Sequence, residues 1–153
     1  MKIIATNKKA FFDYEVLDTI ECGIVLRGDE VKSLRAGHVN MTGSFAIIHD
    51  GELNLLNLSI SPYSHAYEKK ENEATRTRTL LVHRRELMKL IGEMSKKGLT
   101  LVPLKLYFND RAKVKLELGL CRHKKAASKK QEIKERKDLR PLFYLLERFF
   151  NQK

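Results

Sequence analysis

No apolar run among the 153 residues approaches the roughly 18 needed to cross a bilayer, so a transmembrane helix is excluded. The N-terminus, MKIIATNKKAFF, turns polar soon after Lys2, so no secretory leader is expected and the cytoplasm is the expected compartment. Cysteine is scarce. Cys22 and Cys121 stand alone, in no CxxC or Cys/His spacing, and each falls in an alternating apolar run. Both are expected to be small buried hydrophobes rather than disulfide partners or metal ligands. The five histidines include no HExxH and no pair at ligand spacing, so neither a metal site nor a cofactor is expected. Acidic residues are dispersed, without the clustered carboxylates of a metal-dependent nuclease or a nucleophile beside a base. The chain is therefore not expected to be an enzyme. No repeat stands out at a period of roughly 20–50 residues.

What is present is a lopsided charge. Residues 111–153 hold 14 Lys and Arg against 5 Asp and Glu, which is +9 of the chain's +11. Residues 1–110 are nearly balanced, with 16 basic and 14 acidic side chains. An apolar content of 42% can supply the core of one domain of ordinary size, with a tail beyond it. A balanced body carrying a cationic extension is the footprint of a polyanion binder, because each Lys or Arg that meets a phosphate releases a condensed counterion. Charge alone leaves nucleic acid and an acidic membrane surface both open.

Along residues 14–26 the even positions Tyr14, Val16, Ile20, Cys22, Ile24 and Leu26 are apolar, broken only by Asp18. That period of two predicts a long strand with one face on a core. Asp29 is a plausible N-cap for a short helix through Ala36, where Val31 and Leu34 sit three apart and Gly37 supplies the stop. Phe45 to His49, the Asp50–Gly51 pair and Leu53 to Ile60 read as a hairpin. Its second arm shifts apolar parity after Leu55, which predicts a β-bulge there. Residues 61–78 are polar and read as a loop, and Leu80 to Val82 as a brief strand. Leu87, Leu90, Ile91 and Met94 form the stripe of an amphipathic helix over 85–97, closed by Gly98. In a second long hairpin Leu99 and Leu101 point one way and Leu104, Leu106 and Phe108 the other, with Pro103 at the crossover. Val114, Leu116, Leu118 and Leu120 alternate in its return arm. The expected fold is mainly β with two inserted helices: a small antiparallel barrel of the oligonucleotide-binding type over 1–121.

Residues 122–140 hold nine basic and three acidic side chains and almost nothing apolar. A segment so poor in burial is expected to be intrinsically disordered alone and helical on binding, with Glu132 and Arg136 at helical spacing. A solubilising tail is the plainer reading. Beyond it, Leu142, Leu145, Leu146 and Phe149 lie on one helical face. A basic stretch followed by such a face is also a membrane-surface pattern.

Six strings carry a resemblance: NKKAFFDYEVLDTIECGIVL (7–26), GDEVKSLRAG (28–37), ISPY (60–63), TRTRTLLVHRREL (75–87), GLTLVPLKLYF (98–108) and KVKLELGLCRHKK (113–125). Collinear over roughly 7–137, they resemble the SsrA-binding (small protein B) family of bacterial ribosome rescue. The resemblance implies a non-enzymatic adaptor that binds the tRNA-like domain of transfer-messenger RNA and delivers it to stalled ribosomes for trans-translation. Its implied partners are that RNA, the small-subunit decoding centre and elongation factor Tu through the shared RNA, with no membrane. The basic tail, 122–153, would occupy the vacant messenger path. The alternative is a general ribosome-associated or single-strand RNA binder without a dedicated partner.

The resemblance makes Asn7, Lys8, Lys9, Glu21, Leu81, Lys105 and Lys113 RNA contacts. Asn7 to Lys9 is otherwise a frayed terminus. Glu21 is otherwise a partner for Arg27 or a helix lysine. Leu81 would be placed in the core by burial statistics, and Lys113 is otherwise a solvated lysine. Arg76 and Arg78 put two forked guanidiniums in a loop beside a strand, suited to phosphate or to stacking. Tyr107 is a stacking candidate or packing. In the tail, His123, Lys124, Lys125, Lys129, Lys130, Lys134 and Arg136 are the implied ribosome contacts. This stretch departs from the family pattern. The usual glycine is replaced, and Ala127 stands where a ring is common, so that stacking contact is lost or shifted to His123.

Overall fold

Two elements precede the first predicted strand. In the computed structural model, which describes residues 1–61, 74–96 and 98–124, β1 (Lys2–Thr6) leads directly into α1 (Lys8–Asp13). Asn7 caps that helix, its Oδ1 accepting the Ala10 N–H at 3.2 Å. The N-terminus is thus ordered, and the described body holds three helices rather than two.

β2 (Tyr14–Ile24) follows, as the alternation predicts. The next helix, α2 (Gly28–Arg35), starts two residues earlier than an Asp29 cap would set it, because Arg27 is the N-cap residue and Glu30 Oε1 accepts its N–H at 2.8 Å. Gly37, at φ 77°, ends it as expected. β3 (Val39–Asn40) leads to β4 (Phe45–His49) and β5 (Glu52–Leu56). Asp50 at φ 50° and Gly51 at φ 75° make the tight hairpin turn between these two. The bulge expected near Leu55 is absent, and the ladder runs unbroken from Phe45↔Leu56 to His49↔Glu52. Parity resets instead at Asn57, a left-handed residue at φ 62°, after which Leu58 is buried and β6 (Ser59–Ile60) pairs with β3.

β7 (Arg78–Leu81) precedes α3 (Arg84–Met94). Leu90 of α3 is buried, with Leu87 and Met94 packed on the core, whereas Ile91 lies on the flank and is exposed. β8 (Leu99–Phe108) and β9 (Val114–His123) form the second long hairpin. The sheet order β1-β8-β4-β5-β7-β2-β9, with β8 also paired to β9, closes strands β8, β4, β5, β7, β2 and β9 into a ring. β1 extends the ring beside the far half of β8. This is the barrel the alternation predicts.

Inside it Cys22, Leu55, Leu58, Leu101, Leu106 and Leu116 are fully buried. Each large one contributes about 1.5–3 kcal/mol relative to exposure. Two bulges let the long strands serve two cores. Val16 faces Cys121 and Asp18 faces Leu120, so Leu17 is the extra residue of β2. Pro103 faces Leu118 and Lys105 faces Glu117, so Leu104 is the extra residue of β8. Past each bulge the same parity points to the opposite side of the sheet. Tyr14, Val16, Val102, Leu104 and Cys121 therefore pack on the outside of the barrel under Ala10 of α1, while Ile20, Cys22 and Leu106 pack inside. Leu104, expected beside Leu106, points away from it for this reason.

Both thiols are buried, and burial pushes each up to about 12, with Glu86 a further cause at Cys22. Neither supplies a nucleophile at neutral pH.

Candidate nucleic-acid interface

Cross-strand partners share a face, so the register maps the outer surface of the barrel. Cys22, Leu116 and Leu106 face inward across β2, β9 and β8. Their neighbours Glu21, Glu117 and Lys105, with Tyr107 and Lys115, therefore face outward. The near half of this outer surface is covered by α1. The far half is open.

Glu21 sits on that open half, directly opposite Glu117. Two like charges across a ladder repel. The Tyr107 hydroxyl donates to Glu21 Oε2, and Lys105 stands opposite Glu117 on the other side of β9. Tyr107 is largely buried, and burial followed by the Glu21 hydrogen bond raises its pKa well above the usual phenol range. It stays a donor at any physiological pH and fixes the direction of the carboxylate. Its role is to hold Glu21, with its ring packed rather than offered for stacking.

Leu81 lies on the same face, opposite Gly23, and is 56% exposed. The burial expected from its residue type is overruled by position: it ends β7 where the barrel's outer face has no cover. A Cβ on Gly23 would sit 3.4 Å from Leu81 Cβ, so the glycine leaves the leucine room beside the strand. Ile3, opposite Tyr107, is likewise exposed. Lys113 is exposed in the turn before β9, not on the strand itself.

Other predicted residues are placed differently. Asn7 is buried, and its Nδ2 donates to Pro103 O at 2.9 Å and Met41 O at 3.4 Å. Its backbone N–H bonds Leu104 O at 2.7 Å. It is a clamp between β1, β8 and the loop before β4. Lys8 beside it is exposed and Lys9 half-buried.

Arg78 is fully buried rather than open in a loop. Its Nε and Nη2 donate to Glu30 Oε2 at 2.8 and 2.7 Å, and its remaining donors reach Leu58 O, Arg76 O and Ala74 O. Arg76 also donates to Glu30, through Nε at 3.1 Å and through Nη2. Burial would raise the Glu30 carboxyl, but the Arg76, Arg27 backbone and Arg78 hydrogen bonds outweigh it and hold the group below its usual range. Both forks are thus occupied by a carboxylate within the protein, where they join α2 to the base of β7.

His123, expected in the tail, ends β9 with its ring centroid 4.5 Å from that of Tyr14. Lys124 donates its N–H to Asp13 O at 2.9 Å. Lys125, Lys129, Lys130, Lys134 and Arg136, and the stripe from Leu142 to Phe149, lie outside the described residues. Among the described residues no group of His, Cys, Asp and Glu is arranged to hold a metal ion, and no helix is long and apolar enough to cross a membrane.

A family model described as SmpB protein matches residues 4–146. The SsrA-binding protein of Thermus thermophilus is 52% identical over 135 residues, covering 88% of this chain and 93% of its own. That of Thermosynechococcus vestitus is 47% identical over 142 residues, 93% of each chain. A chain from a solved structure described as "tmRNA-SmpB: a journey to the center of the bacterial ribosome" superposes with a TM-score of 0.66 at 54% identity, over 80% of this chain and 85% of that one. Matched along nearly its full length and at about half identity, the chain belongs to the SmpB family, the SsrA-binding proteins.

Proposed function

We infer that this chain binds transfer-messenger RNA and acts with it in trans-translation on the ribosome. The reading rests on membership of a family whose relatives are named for SsrA binding and whose structural relative is described with that RNA and the ribosome. The observation that carries it to individual residues is the exposed Leu81 on the open outer face that also presents Glu21 and Lys105.

Such a face suits a folded RNA. A leucine offers apolar contact to an unstacked base or a ribose, and a directed carboxylate accepts from base amino groups or a 2′-hydroxyl. Lys105, Lys113 and Lys8 supply phosphate contacts that position the RNA without reading its sequence. Arg76, Arg78 and Asn7 support this surface from within. The chain works as a binder rather than an enzyme, in the cytoplasm, and meets elongation factor Tu through the shared RNA. The basic residues from Lys124 onward, among them Lys125, Lys129, Lys130, Lys134 and Arg136, follow the vacant messenger path near the decoding centre.

The test is Leu81→Glu in the full chain, titrated with the tRNA-like domain of transfer-messenger RNA. Affinity should fall at least tenfold while the thermal midpoint stays where it was, since an exposed position contributes little to folding. Unchanged affinity would remove Leu81 from the interface. Sequencing the RNA that co-purifies from cells separates a dedicated partner, seen as one dominant structured RNA, from a general RNA binder, seen as a mixture of messages.

A further inference from the structure

The open outer face does not stop at Lys105. Thr6 of β1 stands opposite Lys105 in register and shares its face. It also opens a cleft of about 510 Å³, whose wall continues through Lys8 and Lys9 of α1 to Asn40 and Thr42. The floor is apolar, made by Phe12, Val39 and Met41. Small-ligand sites occupy roughly 300–1,000 Å³, so one nucleotide fits and a duplex does not.

Three observations favour a nucleotide. No carboxylate lines the cleft, whereas the far smaller hollow beside α3 is lined by Asp18 and Glu93. The floor is pre-set: Asn7 caps α1 and holds the Met41 and Pro103 carbonyls. Asn40 Oδ1 accepts the Thr42 N–H at 3.0 Å, so what Asn40 offers a ligand is its amide donor. A base has an apolar ring face and an acceptor-bearing edge, and its 5′-phosphate is anionic. The apolar floor, the Asn40–Thr42 stretch of wall and the Lys8–Lys9 stretch match these three parts in turn.

We propose that the cleft between α1 and β3 receives a single unstacked nucleotide of the bound RNA. Its base lies against Phe12, Val39 and Met41, its acceptor edge on Asn40 and Thr42, and its phosphate between Lys8 and Lys9. The assignment rests on the RNA-binding reading above and extends that surface by one site around the edge formed by β1.

Thr42→Trp, which fills the mouth of the cleft from an exposed position, tests it in the full chain. Affinity for the tRNA-like domain should fall about tenfold, with the salt slope unchanged, because the lost contact is to a base. Lys8→Ala/Lys9→Ala should flatten the slope of log affinity against log salt by roughly one to two, as expected when up to two phosphate contacts are lost. Chemical probing should show one unpaired base that the wild type protects and Thr42→Trp exposes, with the other protections intact. Equal affinity and equal protection in Thr42→Trp would overturn the proposal. Should that variant fail to fold, Asn40→Ala replaces it with the same two outcomes. A wild-type chain with no preference for this RNA would instead overturn the RNA-binding reading itself, so the two failures are distinguishable.

Discussion

Replacing the buried Glu30 by glutamine should cost this protein far more than an isosteric change at any exposed carboxylate. The carboxylate receives two hydrogen bonds from Arg78, two from Arg76 and one from the Arg27 backbone. Arg78 has no exposure at all and the Glu30 side chain only 8%, so solvent screens this pair little. Glutamine keeps the shape but removes the charge and turns one acceptor into a donor that faces guanidinium. A buried cation left without its counter-ion costs about 3–5 kcal/mol. At roughly 3–5 °C per kcal/mol for a body of this size, the thermal midpoint should drop by about 9–25 °C. Acid supplies the check on mechanism. Glu30 titrates below the usual carboxylate range when folded, so its contribution is complete above the unfolded value of about 4.3 and fades as pH falls through the folded one. The gap between wild type and Glu30→Gln, measured by urea unfolding from pH 7 downward, should therefore narrow in acid. A deficit under about 1 kcal/mol at pH 7, or one indifferent to pH, would refute the assignment.

Gly119→Ala should destabilise by about 1–3 kcal/mol. Its Cβ would meet Leu104 Cδ1 at 2.8 Å and Cys121 Sγ at 3.0 Å, so Gly119→Ala should cost less when made in a Leu104→Ala background than in the wild type, as a double-mutant cycle in chemical denaturation would show. Tyr107→Phe removes the donor to Glu21 at a cost of about 0.5–1.5 kcal/mol. Because the freed carboxylate faces Glu117, affinity for the tRNA-like domain should fall as well, and a variant that binds normally would show that the direction of Glu21 is immaterial. Lys124→Ala/Lys125→Ala should impair ribosome engagement more than binding to the isolated RNA. Equal losses in pelleting and RNA titration would contradict that division.

What the sequence discloses depends on whether the information is local. Alternation from Tyr14 to Ile24 is local, and the strand is where the alternation puts it. The change of face at Leu17 is invisible, because the even positions stay apolar on both sides of the bulge while serving different cores. At Pro103 the parity slip announces a doubled residue but does not say which one, and Leu104 is the one that turns outward. Arg78 reads as a loop cation because Glu30, 48 positions earlier, leaves no trace in its neighbourhood. Asn7 is a legible helix cap in retrospect, since a short polar residue precedes Lys8 to Asp13, but one and a half turns of helix show almost no periodicity. Leu81 is the reverse case. Composition points it inward, and only the resemblance pointed to the surface where it stands. The wall formed by Asn40 and Thr42 has no motif, because it exists only once β3 meets α1.

The ring of strands is not equally strong all the way round. β8 is bonded to β9 along almost its whole length, whereas a single ladder pair, Ala46 with Leu101, joins it to β4. That junction, the most thinly bonded of the ring, is expected to open first, and amide hydrogens there should exchange ahead of those in the β2–β9–β8 wall. Glu21 and Lys105 of the proposed RNA-binding face lie on that wall, so the part of the molecule expected to open last is the part assigned to hold the ligand.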